Sequence, residues 1–431
     1  MFLSYLSLIL FCSLFLYLCV CKPPLSILFF LGFKLVLDLV FQHSDSDFFH
    51  AISAVVILCG NTILLFRNDI PIKELPLGGL MLILITLNIL SAIWGIVNSY
   101  FLLFEIPHSP IRFGQVVTWT GKMLGIFIPL LTGLAAKRND LSLKKILLAF
   151  VLGTIPVCIV GLFDIGSQFF KLTEESSLKY HTIWRISGGL SGPGTLAITM
   201  LFGSSFALYL LFFNQFTKRA YNHLMMVYLT IAYIVLTFTM SRGAWISLIF
   251  FCFILLLHLP TIKSKSVAAM ALLLLLINPV IWERFNKETK YLTNKFVTDK
   301  TTIDVTKLGS GRIWLWNDAI RHYTKLDLVS QLIGSGGYYG SHNQYIAWLL
   351  RNGILGLFMW LLFLYLMYRK ILTMNKPSRS LATALFLCIC CVANMFSQPW
   401  DNFNISFIFW FLIGFNIIVS TDKVKNRENC R

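Results

Sequence analysis

The sequence predicts an all-α, polytopic transmembrane helical bundle of about 12–13 spans with one extended outward loop. Three observations carry that prediction. Of 431 residues, 57% are apolar and only 13% are charged, against roughly 25% charged in a soluble domain. Mean hydropathy is +0.74, and 38 Phe and 11 Trp add to the apolar load. The apolar residues come in runs of about 20, the length of a helical span, and not in the alternation of a transmembrane barrel. No soluble globule covers such a core with so little polar surface. A cytosolic multidomain enzyme, a disordered chain, a coiled coil and a small disulfide scaffold are all excluded.

Spans are expected at 3–21, 25–41, 49–66, 77–96, 117–135, 146–166, 195–213, 224–240, 243–258, 266–282, 343–368, 381–397 and 403–420. Each is long enough, or nearly so, to cross about 30 Å of hydrocarbon. Residues 1–21 have the apolar run of a signal-like anchor but lack its basic start and small-residue cleavage site.

Basic residues recur at every second connection. They are Arg67 and Lys73; Lys137, Arg138, Lys144 and Lys145; Lys218 and Arg219; Lys263 and Lys265; Arg369, Lys370, Lys376 and Arg379; and a tail with Lys423, Lys425, Arg427 and Arg431. Positive residues collect on the cytoplasmic side, so these connections face inward and the alternate ones outward. This rule also accounts for most of the +17 net charge. Nucleic acid, the partner such a charge would suggest in a soluble protein, is not expected. The remaining excess is available to an anionic substrate.

The chain then divides into N-terminal transmembrane helices (1–116), central transmembrane helices with an outward loop at 167–194 (117–282), and a long outward loop (283–342). C-terminal transmembrane helices (343–420) and an inward tail (421–431) complete it. Residues 313–323 of the long loop read as an amphipathic helix, which Gly334-Ser335-Gly336-Gly337 breaks. No internal repeat is visible. Nine of the ten cysteines lie in apolar runs. Cys388 and Cys391 have CxxC spacing, but without a neighbouring loop, charge or His they read as small apolar packing residues.

Four polar residues stand out at the outer ends of spans. Arg242, in Ser241-Arg242-Gly243, sits between two spans with almost no loop, against the inward bias of positive charge. It either snorkels to the headgroups or binds an anion. Arg185, in Arg185-Ile186-Ser187-Gly188, is beside glycines whose backbone N–H groups can approach an anion together with the guanidinium; the alternative is a solvated loop charge. Arg312, in Ser310-Gly311-Arg312, is placed at the start of the amphipathic helix, where the positive end of the helix dipole adds to its charge. His342, in Gly340-Ser341-His342-Asn343-Gln344-Tyr345, opens an apolar helix. It reads as an interfacial cap or as a general base kept neutral by the helix N-terminus. Gly353 and Gly356 permit close helix contact deeper in that span. No DxD, HExxH, P-loop or carboxylate pair is present in the outward loops, so no metal and no cofactor is expected. Asp164 and Asp38 fall within spans, with Lys34 one turn from Asp38; they read as a structural pair or as an ion path.

Taken in order, Arg185-Ile186-Ser187-Gly188, Ser241-Arg242-Gly243, Ser310-Gly311-Arg312 and His342-Asn343-Gln344-Tyr345 with Gly353-Ile354-Leu355-Gly356 resemble the O-antigen ligase family. The likeness runs from about residue 117 to 420. The family usually has twelve spans, and the extra one here is N-terminal. The resemblance implies a multi-pass glycosyltransferase of the bacterial inner membrane with its active site facing the periplasm. Its donor would be an undecaprenyl-pyrophosphate-linked glycan and its acceptor a sugar hydroxyl of lipid A–core. Arg242 and Arg312, with Arg185, would hold the pyrophosphate, and His342 would take the acceptor's proton. O-antigen polymerases share the superfamily and the donor. A lipid-linked-sugar flippase is the alternative of another class; it predicts broken or charged helices within the membrane. The sequence leaves the glycan, the acceptor sugar and the oligomeric state open.

Overall fold

The computed structural model describes residues 2–41, 52, 55–57, 59–64, 77–101, 125–133, 141–174, 186–188, 190, 193–213, 219–239, 241–259, 265–266, 269, 276–278, 282, 286, 312–336, 342–374, 376–394 and 405–416. Among these residues every regular element is helical. In chain order they are α1 (Phe2–Cys21), α2 (Pro23–Phe41), α3 (Gly78–Phe101), α4 (Leu143–Glu174), α5 (Pro193–Phe212), α6 (Arg219–Phe238) and α7 (Arg242–His258). They continue with α8 (Arg312–Lys325), α9 (Leu328–Ile333), α10 (Gln344–Leu372) and α11 (Lys376–Leu387), which runs into a π-helical turn, Cys388–Ala393. The last described helix is α12 (Ile405–Asn416).

Among the described residues, six helices are long and apolar enough to cross a membrane: Pro23–Val40, Gly78–Val97, Leu143–Gly166, Pro193–Phe212, Arg219–Phe238 and Gln344–Leu372. Shorter apolar helices include Tyr5–Cys21, Arg242–His258, Ser378–Ala393 and Ile405–Asn416. The protein is a multi-pass helical membrane bundle. Its outer faces present Leu224, Met226, Val227, Leu82, Ile83 and Phe163 to the surroundings. That much exposed apolar surface suits a lipid solvent.

Helix α5 is the hub, buried continuously from Leu196 to Leu210. At its waist a Cβ on Gly203 would strike the Tyr228 hydroxyl, which shares a 2.6 Å hydrogen bond with Thr154. Small residues admit the polar side chains that join helices within lipid. Helix α4 runs to Glu174, further than the span expected at 146–166. In α2, Lys34 and Asp38 form a buried i,i+4 ion pair.

The main departure from the sequence reading is in α10. Gly353 has φ 65° and ψ −173°, which is not helical. Trp348 and Trp360, twelve positions apart, would be separated by about 18 Å along a straight helix. Their rings instead stack with centroids 4.4 Å apart. The helix therefore folds sharply at Gly353. Residues 344–352 are too short to cross, and 354–372 alone rise about 28 Å. His342 thus precedes a short folded-back segment, not the mouth of an unbroken span.

A break frees backbone carbonyls that must find donors. The segment after α9 supplies them. Ser335 N–H and Oγ donate to the Leu350 carbonyl at 3.0 and 3.1 Å, and Gly336 N–H donates to the Arg351 carbonyl at 3.2 Å. Ser91 of α3 donates a further hydroxyl bond to Arg351 O. A Cβ at Gly353 would strike the Leu332 carbonyl, and one at Gly334 the Arg351 carbonyl. Glycine at these positions lets the two backbones touch.

Candidate active site

Arg312 is the first residue of α8, as the Ser310-Gly311-Arg312 pattern and the amphipathic run predict. What holds α8 in place follows it. The Tyr323 hydroxyl donates to Gln331 O at 2.8 Å, and the Gln331 amide donates to Leu326 O at 2.8 Å. Asp327 then N-caps α9 by accepting from Ser330 N. Trp94 of α3 donates its indole N–H to Ser330 Oγ at 2.9 Å. A tight elbow between α8 and α9, anchored on α3 and stitched to the α10 break, so holds the C-terminal end of α8, and α8 packs against α10.

His342 lies just before α10. It is not the cap: Asn343 is, its side-chain oxygen accepting from Tyr345 N at 2.9 Å and Ile346 N at 3.2 Å. An Asn before an apolar run is a standard start signal. His342 itself takes a left-handed backbone, φ 50°, a conformation that His tolerates better than most residues. Its side chain remains exposed. Partial burial, then the positive charge of Arg312, lowers its pKa below the usual 6.5. The shift is in the direction that favours the neutral ring.

Arg242 is the first residue of α7, behind an extended Ser241 at the N-cap. The turn before it is tied by Thr239 Oγ1, which donates to Leu236 O at 2.7 Å and accepts from Ser241 N. Trp245 donates its indole N–H to the same Leu236 carbonyl. The glycine-rich loop reaches this turn, since Ile186 N–H donates to Phe238 O at 3.3 Å. The Gly188 amide is directed elsewhere, to the Asp164 carboxylate at 2.7 Å. That carboxylate takes the N–H expected to meet an anion. Arg185 lies outside the described residues.

The three described candidates share one feature. Arg242 and Arg312 each open a helix, and His342 directly precedes the capped start of another. Helix N-termini and guanidinium groups both favour anions. Arg312 and His342 are brought within electrostatic reach of each other. Arg242 is linked to them through a common neighbour, the π-helical turn. The Cys388 thiol donates to Ser247 O of α7 at 3.0 Å, and the Tyr345 hydroxyl donates to Cys390 O.

Sequence reasoning missed Asp164 as the loop's anchor and the π-helical turn as a bridge. It read Gly353 as a close-contact residue, which it is, but missed the break there. Among the described residues no three His, Cys, Asp or Glu side chains group as a metal site, and the described cysteines are free thiols. No family model and no curated protein matches the chain.

Proposed function

We propose that the protein is a glycosyltransferase of the O-antigen ligase type. It moves a glycan from undecaprenyl pyrophosphate to a sugar hydroxyl of lipid A–core at the periplasmic face of a bacterial inner membrane. The observation that carries this reading is the placement of Arg312 and His342, each at a helix start, within electrostatic reach of each other.

The chemistry follows from that pairing. Neutral His342 accepts the proton of the acceptor hydroxyl as its oxygen attacks the anomeric carbon. The bond from that carbon to the pyrophosphate oxygen breaks, and the electron pair leaves with the pyrophosphate. Arg242 and Arg312, with Arg185, receive the growing negative charge. Guanidinium groups hold phosphate oxygens bidentately and stay charged at any ordinary pH. They supply the positive charge that Mg²⁺ supplies in sugar-nucleotide enzymes. A general base contributes about 10²–10⁴-fold, and one donor to a developing anion about 10²–10³-fold.

An O-antigen polymerase would use the same donor and the same residues. A lipid-linked-sugar flippase has one observation in its favour, the discontinuous α10. Transport sites use the freed carbonyls of such breaks for cargo. Here Ser335, Gly336 and Ser91 occupy them, which favours the enzyme. Deleting the gene and analysing glycolipids separates the three. Loss of polymer on lipid A–core, with polymer still on undecaprenyl pyrophosphate, means ligase. A single repeat unit on the core means polymerase. Donor trapped on the cytoplasmic side means flippase and overturns the reading.

A further inference from the structure

The π-helical turn Cys388–Ala393 is a widened turn of a kind that is uncommon and recurs at functional sites. It is buried at Cys388, Ile389, Cys390 and Ala393 and touches both halves of the candidate site. On one side its Cys388 thiol bonds to Ser247 O, five positions into the helix that begins at Arg242. On the other its Cys390 carbonyl accepts the Tyr345 hydroxyl, three positions after His342. Asn343 closes the intervening turn by accepting two backbone N–H groups, one of them from Tyr345 itself. The backbone from His342 to Tyr345 is therefore held, and where the Tyr345 phenol is anchored sets where the His342 backbone presents its imidazole.

We propose that Tyr345 is a positioning residue for His342, registering the base against the Arg242 end of α7 through the carbonyl of Cys390 in the π-helical turn. This rests on the glycosyl-transfer reading. The acceptor hydroxyl must meet the donor carbon while the pyrophosphate is held, so the spacing between base and arginine decides the rate. No part of the phenol needs to touch substrate. A misplacement of about 1 Å costs on the order of a hundredfold.

The test is Tyr345→Phe, which keeps the ring and removes only the hydroxyl. Purified full-length protein is assayed for transfer with a lipid-linked glycan donor. In parallel, carbethoxylation of His342 by diethylpyrocarbonate is followed by peptide mass spectrometry. The variant should lose roughly ten- to a hundredfold in kcat with the donor KM unchanged, and its His342 should modify at an altered rate. Wild-type kcat together with wild-type modification overturns the proposal. A lower kcat with an unchanged modification rate also overturns it, because the phenol would then act other than through His342. Were wild-type protein to transfer nothing, the glycosyl-transfer reading would fail by itself. The modification rates would still decide the tether: a change sustains it, and none removes it.

Discussion

Gly353→Ala is the sharpest structural perturbation. At φ 65° and ψ −173° the backbone is in a region essentially reserved for glycine, and a side chain there costs about 1–3 kcal/mol. The added Cβ would also strike the Leu332 carbonyl and the Gly334 nitrogen. These are backbone atoms and cannot rotate aside. Relief requires α9 and the Gly334–Gly336 segment to withdraw from α10. That loosens the bonds of Ser335 and Gly336 to Leu350 and Arg351, each contributing about 0.5–1.5 kcal/mol. Together the losses reach about 3–6 kcal/mol, a large fraction of an ordinary domain's stability. Gly166→Ala is the control, because a Cβ there meets nothing within 4 Å and alanine suits a helix interior. Thermal unfolding in detergent, followed by tryptophan fluorescence, should show a sharply lower midpoint for Gly353→Ala. Trp348 and Trp360, stacked across the bend, should change their emission. A Gly353→Ala protein as stable as Gly166→Ala, with unchanged emission, would refute the bend.

Other outcomes follow from the same geometry. Arg312→Ala and Arg242→Ala should each lower transfer about 10²–10³-fold, with Lys recovering only part because it offers a point charge without the bidentate fork; steady-state rates on purified protein check this. The acidic limb of the pH–rate profile should lie below pH 6.5, since the base must be neutral and its pKa is lowered by burial and by Arg312. Arg312→Gln removes the second cause, so the residual activity of that variant should show a limb displaced to higher pH. Lys34→Leu removes the Lys34 cation from buried Asp38 and should destabilise by about 3–5 kcal/mol. The double change with Asp38→Leu should recover most of that loss, measured as the unfolding midpoint in detergent.

The sequence disclosed the parts of this site that local rules govern. Arg312 opens α8 because a Ser-Gly turn precedes an amphipathic run. The Lys34–Asp38 pair follows from helical spacing. The bend in α10 was hidden because hydropathy averages over it: Trp348, Leu349 and Leu350 before Gly353 are as apolar as Ile354 and Leu355 after it. Its cause is nonlocal, since the freed carbonyls are met by Ser335 and by Ser91, which is 260 positions from Arg351. The same holds for Gly188, whose amide is claimed by Asp164 of α4. The π-helical turn left no mark in its composition, and its meaning comes from the two helices that bond to it.

The central claim is that His342 is the general base of a glycosyl transfer. The most direct measurement is turnover by purified wild-type and His342→Gln protein with an undecaprenyl-pyrophosphate glycan and lipid A–core acceptor, with donor binding measured alongside. The wild type should transfer and the variant should lose about 10²–10⁴-fold, with donor affinity retained because Arg242 and Arg312 remain. Wild-type turnover by His342→Gln would contradict it.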